Sequence, residues 1–142
     1  ISEKDIHDIY TIRSYLEGLC ARWACEHVTD EQLDAIEEVI YLSEFHTSKG
    51  HFEQVVELDS KFHKLIYSAC GSKILEHELS VFHHYVERVR KITLSMEERA
   101  KRSTAEHTAI LNAIRSRDKE LAEKLAHEHI IRTIENIEKL GL

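Results

Sequence analysis

Apolar residues recur every three or four positions along most of the chain, and no proline interrupts the pattern. Successive side chains in an α-helix are rotated by about 100°, so this spacing places the apolar residues on one face of a helix. Only four of the 142 residues are glycine, which leaves few positions that would break a helix. The sequence therefore predicts an all-α fold with short connections.

Six helices are predicted from this periodicity and from residues that can cap or end them. The first runs from about Asp5 to His27. The polar stretch SMEERAKRS (95–103) separates the fourth helix from the fifth. Cap or stop signals for the other helices lie, in chain order, at Thr29 or Asp30, Gly50, Ser72 and Asp118. A single antiparallel bundle of about six helices, formed by residues 1–142 as one domain, is the simplest architecture.

Charge, cysteine content and hydropathy restrict the possible functions. The net charge of −7 argues against binding of nucleic acid by this chain itself. The three cysteines form no CxxC pair, and their odd number favours free thiols and a cytoplasmic location. No segment approaches the roughly 18 apolar residues that a membrane-spanning helix needs. The chain begins ISEKDI without a methionine, so we expect it to be part of a longer protein.

Three of the eleven histidines lie on or beside the apolar faces of their helices, where burial is expected: His63, His107 and His129. Asp59 precedes His63 by one helical turn, so both residues share a face. His107 and His129 lie at equal distances before and after Asp118, at the turn between the last two helices. Equal distances from the turn of an antiparallel hairpin bring side chains to the same level. These four polar side chains are therefore predicted to converge.

A carboxylate and three imidazoles inside a bundle predict a binding site for a divalent transition metal. An ionised carboxylate that is buried without a partner is costly, and neutral imidazoles have lone pairs that need partners. A cation satisfies both needs, and this ligand set suits zinc or nickel, with iron and manganese as further candidates. The alternative is a hydrogen-bonded Asp–His network without metal, and the residues alone leave both possibilities open.

Two arginines are candidates for binding an anionic ligand. Arg13 lies within the apolar face of the first helix, where its charge requires an anion. Glu17, one turn later, can supply that anion, or Arg13 can bind a ligand carboxylate through two hydrogen bonds. Arg90 lies on the flank of the fourth helix's apolar face, where a surface position is expected, and is the weaker candidate. No HExxH, ExxH or phosphate-binding glycine motif occurs, so no catalytic residue is predicted.

Four segments of the chain together resemble the FCD domain, the effector-binding half of many GntR-family bacterial transcription regulators. The segments are IRSYLEGLCARWAC (12–25), LDSKFHKLIYSACGSKIL (58–75), EHTAILNAIRSRDKELA (106–122) and HEHI (127–130). A count of six helices rather than seven is similar to the VanR-like subgroup. Ser72 departs from the family pattern, which usually has asparagine there, but serine also caps helices.

The resemblance implies specific roles for the candidate residues. Asp59, His63, His107 and His129 match the metal ligands of metal-binding members, and Arg13 matches an arginine near the effector. The implied effector is a small organic acid that coordinates the metal. A homodimer is also implied, as is a winged-helix DNA-binding domain that precedes this one. A metal-dependent enzyme on a helical bundle and a metal-free structural domain are the alternatives.

Overall fold

The computed structural model describes residues 2–141, and within that range the chain forms seven α-helices and no strands. None of these helices is long and apolar enough to cross a membrane. The helices are α1 (Glu3–His27), α2 (Asp30–Lys49), α3 (Phe52–Ala69), α4 (Lys73–Tyr85), α5 (Glu87–Leu94), α6 (Glu97–Arg115) and α7 (Lys119–Lys139). The all-α prediction is confirmed.

The sequence predicted about six helices and the structure has seven among the described residues, because the predicted fourth helix is two. Val86 has φ −102° and ψ 8° and separates α4 from α5. The apolar repeat of Leu75, Leu79, Val86 and Val89 passes through this break unchanged, and neither glycine nor proline marks it. The similarity to the VanR-like subgroup rested on the count of six and loses that support. Most of the polar stretch 95–103 also belongs to α6 rather than to a connection.

The predicted caps are present at three helix starts. The side chains of Thr29, Ser72 and Asp118 each accept a hydrogen bond from the backbone N–H three residues later, at 3.1–3.2 Å. Gly50 ends α2 with φ 73°, in the left-handed region that glycine adopts without strain. These local interactions fix where α2, α4 and α7 begin and where α2 ends.

Replacing Ser72 by alanine should lower the free energy of unfolding by about 1 kcal/mol, because the N–H of Leu75 loses its acceptor. Urea unfolding followed by circular dichroism measures the change. Ser80→Ala is the matched control, since the Ser80 hydroxyl only donates a hydrogen bond to the Glu76 carbonyl of the same helix. Equal stability of the two variants would contradict a capping role for Ser72.

The helices pack around two separate apolar clusters. α1 lies along α7, α2 packs against α3 and α6, and α6 and α7 form a hairpin. The larger cluster contains residues such as Cys20, Phe62 and Ile114. The smaller one contains Tyr10, Val86, Val89, Ile130 and Ile137. The described interior is thus divided, and the residues between the two clusters are polar.

Candidate metal centre

A layer of polar side chains, all of them buried except the partly exposed Glu106, lies between the two apolar clusters. On α1, Arg13 and Glu17 stand between Tyr10 of the smaller cluster and Cys20 of the larger one. On α7, His129 follows Ala126 of the larger cluster. We use the name polar layer for the following residues: Arg13, Glu17, Asp59, His63, Tyr67, Arg90, Arg99, Glu106, His107 and His129.

The structure brings together the four side chains for which the sequence predicted a shared pocket. The Nε2 atoms of His107 and His129 are 3.3 Å apart. The Oδ1 atom of Asp59 is 3.6 Å from the Nε2 atoms of both His63 and His107. One ring nitrogen from each of the three histidines lies within 4.8 Å of the others. All four residues are buried, Asp59 being 7% exposed.

The arrangement fits a divalent transition metal. Two nitrogens that each bind zinc at about 2.0–2.1 Å stand about 3 Å apart, close to the separation seen between His107 and His129. A cavity of about 20 Å³, enough for an ion or one water molecule, lies beside Asp59, His63 and His129. Three imidazoles and one carboxylate form a donor set that zinc, nickel, iron and manganese accept.

Carboxylates outside this group set the orientation of two imidazoles. The Nδ1 atom of His129 is 2.6 Å from Oε1 of Glu106, so Nδ1–H donates to that carboxylate. The Nδ1 atom of His63 faces Oε1 of Glu17 at 3.6 Å. The Nε2 atom of His129 lies towards His107, and the Nε2 atom of His63 lies towards Asp59. Such carboxylate–imidazole pairs are a regular feature of protein metal sites, where they fix the tautomer of the ligand.

The pKa shifts follow from burial and from these neighbours. Burial lowers the pKa of His107 well below its usual value and also lowers that of His129, so both rings are neutral. Burial alone would raise the pKa of Asp59, but His63, His107 and Arg90 hold it well below its usual range. Burial likewise opposes charge on His63, yet Glu17 and Asp59 outweigh it and raise the His63 pKa. Neutral imidazoles and an ionised carboxylate are the forms that bind metal, so a metal that binds here competes with the proton on His63.

Arg13 forms the ion pair that the sequence left as one of two possibilities. It is 2% exposed, and its Nε donates to Oε2 of Glu17 at 2.8 Å. The hydroxyl of Tyr67 donates to the same oxygen at 2.6 Å. Arg13 also lines the cavity beside the histidines. The guanidinium is therefore compensated by a partner on its own helix and lies next to the candidate metal centre.

Arg90 is buried, which contradicts the expected surface position. It is 6% exposed, and its Nε donates to Oδ2 of Asp59 at 3.1 Å. A weaker bond runs from its Nη2 to the Val56 carbonyl at 3.4 Å. The expected position assumed one continuous helix through Val86, and the non-helical residue there changes the direction of every side chain that follows.

Sequence reasoning missed Arg99 and Glu106 of the polar layer. Arg99 donates from both terminal nitrogens to Glu106 and from Nη2 to the hydroxyl of Thr133. A signal was present, since Arg99 and Glu106 are seven residues apart and thus lie on one face of a helix. It was lost because the stretch 95–103 was taken as a connection. Tyr67 was also missed, although it follows His63 by one turn.

Comparison with known proteins identifies the family. The model of the FCD domain matches residues 8–132. An uncharacterized HTH-type transcriptional regulator of Bacillus subtilis, YdhC, is 25% identical over an alignment of 143 positions, which covers 95% of this chain and 64% of the relative. The galactonate operon transcriptional repressor of Escherichia coli is 27% identical over 117 residues, or 81% of this chain and 50% of the relative. This chain therefore spans less than two thirds of either relative.

A solved structure gives the same result for the fold. McbR/YncC of E. coli superposes with a TM-score of 0.88 at 18% identity, covering 99% of this chain and 71% of that protein. YdhC and the galactonate operon repressor are both described as transcription regulators. The chain belongs to the FCD domain family.

Proposed function

We propose that this domain binds a divalent transition metal and responds to a small carboxylic acid at the same place. The ligands are Asp59, His63, His107 and His129, and the metal is zinc or nickel, with iron and manganese as further candidates. The observation that carries this proposal is the convergence of the imidazole nitrogens and Oδ1 of Asp59 between the two apolar clusters. The bound metal would supply a coordination position for an oxygen of the acid.

The charges of the polar layer support an anionic effector. Its three guanidinium groups each donate to one carboxylate, in the pairs Arg13–Glu17, Arg90–Asp59 and Arg99–Glu106. A divalent cation would therefore add positive charge that no side chain of the layer compensates. Uncompensated charge in an interior is costly, and an acid that binds there removes the imbalance. We assign Arg13 and Arg90, which line the cavity, to the binding of this acid.

We further propose that the chain is the regulatory part of a longer, cytoplasmic, homodimeric regulator. The two relatives are described as a transcriptional regulator and a repressor, and this chain matches only part of each. DNA would be bound by a domain on the N-terminal side. An acid that binds one arrangement of the dimer more tightly than another shifts the population towards it, and so changes the placing of the DNA-binding domains.

Elemental analysis and native mass spectrometry of the purified chain test the metal and the dimer together. We expect one transition metal ion per chain and a dimeric mass. Calorimetry with small organic acids should then show binding to the metal-loaded protein and weaker or no binding after treatment with a chelator. A protein that takes up neither zinc nor nickel, and whose melting temperature neither ion changes, would rule out the site in favour of a metal-free polar network.

Glu106→Gln should weaken zinc binding by about 10–100-fold, because the amide holds the His129 ring less firmly than the carboxylate does. Competition with a fluorescent chelator measures the dissociation constant. Glu128→Gln is the control, because it removes the same charge from the residue next to His129. The native Glu128 pairs with Arg132 near the surface and does not contact the histidine ring. If both variants bind zinc like the parent protein, Glu106 does not position the ligand.

A further inference from the structure

The cavity beside the candidate metal centre is too small for an organic acid. Its volume of about 20 Å³ admits a single water molecule. An acid must therefore displace part of the wall. Three outer grooves each share one wall residue with this cavity, namely Arg90, Leu94 and Arg99. The residue that makes the weakest contacts with its neighbours is the one that we expect an incoming acid to displace.

Of the two charged residues that separate the cavity from an outer groove, Arg90 makes the weaker contacts. Arg99 makes three hydrogen bonds, to Glu106 and Thr133, and belongs to a helix of 19 residues. Arg90 makes one bond of 3.1 Å to Asp59 and one of 3.4 Å to a backbone carbonyl. Its helix, α5, has only eight residues. The third shared residue, Leu94, is apolar and cannot form an ion pair with a carboxylate.

The groove outside Arg90 has the features of a ligand-binding surface. It lies between α3 and the α4–α5 pair and has a volume of about 540 Å³. His83, only 3% exposed, lies on its wall, and its Nε2 is bonded to Ser60 at 2.9 Å. The Nδ1 atom of His83 has no hydrogen-bond partner among the described residues. Buried polar atoms without partners are rare, and a ligand that reaches this nitrogen would supply the missing hydrogen bond.

The lining of the groove indicates the chemistry of that ligand. Only Phe52 and Val56 among its twelve lining residues are apolar. Burial lowers the pKa of His83 to about 2, so the ring is neutral and its Nδ1 can donate or accept a hydrogen bond. These groups favour a small acid that carries hydroxyl groups over one with a hydrocarbon chain or an aromatic ring.

We propose that small hydrophilic carboxylic acids reach the metal centre through the groove between α3 and α4–α5. Arg90 releases Oδ2 of Asp59 and binds the incoming carboxylate, and Nδ1 of His83 binds an oxygen of the remainder of the ligand. This inference depends on the proposed metal site. The groove is then the outer half of the effector site, and α5 is the element that moves when the effector binds.

The rate at which pyridine-2,6-dicarboxylate removes zinc from the loaded protein tests the route. This small dianionic chelator must reach the ion, so we expect a stopped-flow rate that rises with its concentration. Ser80→Trp adds bulk to the groove from an exposed position on α4 and should slow removal at least tenfold with unchanged zinc affinity. Arg102→Trp adds the same side chain to the groove outside Arg99 and should leave the rate unchanged.

Other outcomes would overturn the inference. A rate independent of chelator concentration, an unaffected Ser80→Trp variant, or slowing by Arg102→Trp alone would each exclude this route. Failure of the parent protein to bind zinc would instead refute the proposed function itself. For the ligand class, gluconate should protect zinc from the chelator better than hexanoate, an acid of equal chain length without hydroxyl groups. Equal protection, or none, would contradict the assignment to hydrophilic acids.

Discussion

Replacing Glu17 by alanine is expected to lower the free energy of unfolding of the metal-free protein by about 3–5 kcal/mol. Glu17 is 4% exposed and is the hydrogen-bonded anion of Arg13, so its removal leaves a guanidinium charge in the interior without compensation. The hydroxyl of Tyr67 loses its acceptor in the same change. Urea unfolding in the presence of a chelator measures the loss without any contribution from metal.

A double variant separates the loss of the pair from the loss of one partner. Arg13→Met with Glu17→Leu replaces both charges by apolar groups, and buried ion pairs replaced in this way often cost little stability. We therefore expect the double variant to be more stable than Glu17→Ala alone. Glu26→Ala, an exposed change on the same helix, should have no measurable effect. A Glu17→Ala protein as stable as the Glu26→Ala control would show that Arg13 finds compensation elsewhere.

His107→Ala should weaken zinc binding by more than about 100-fold, because loss of a ligand costs more than the 10–100-fold typical of an outer partner. The melting temperature provides a second readout. Zinc at one hundred times its dissociation constant stabilises a protein by about 2.7 kcal/mol, and the variant should lack most of this gain at the same concentration. Stability without metal has to be measured separately, since His107 also stacks on Phe62 at 3.7 Å.

His77→Ala is the control for this experiment, because His77 lies exposed on α4 and belongs to no cluster of metal-binding side chains in the described chain. It should bind zinc like the parent protein. Parent-like zinc affinity in both variants would mean that the ion binds elsewhere, or that His107 belongs to a metal-free network. The same measurement with nickel shows whether the two ions share ligands.

The proximity of Asp59 to His63 and that of His107 to His129 were predictable because each depends on a local rule. Asp59 and His63 are one turn apart, and a single short turn at Asp118 sets the register of His107 against His129. The Arg13–Glu17 pair was foreseen for the same reason, as both residues lie on one helix. Where spacing along one helix or across one hairpin determines a contact, the sequence carries enough information to place it.

Contacts between distant elements could not be placed in this way. Arg90 on α5 reaches Asp59 on α3 across 31 positions, and no turn connects these two helices directly. The break at Val86 has no sequence signal either, since the apolar repeat continues through it. The packing of α3, α5 and α7 around the polar layer decides these contacts, and periodicity does not describe that packing.

The position of the polar layer halfway along the bundle also restricts how the helices can slide past one another. A shift of α1 by one turn, about 5.4 Å, would carry the Glu17 carboxylate away from Tyr67 and His63 and set it against hydrocarbon. Bundles that are stabilised only by contacts between apolar side chains tolerate such a shift. Here each shifted arrangement would leave a buried charged side chain without its partner. The buried charges therefore favour one alignment of the helices over others that would bury a similar amount of apolar surface.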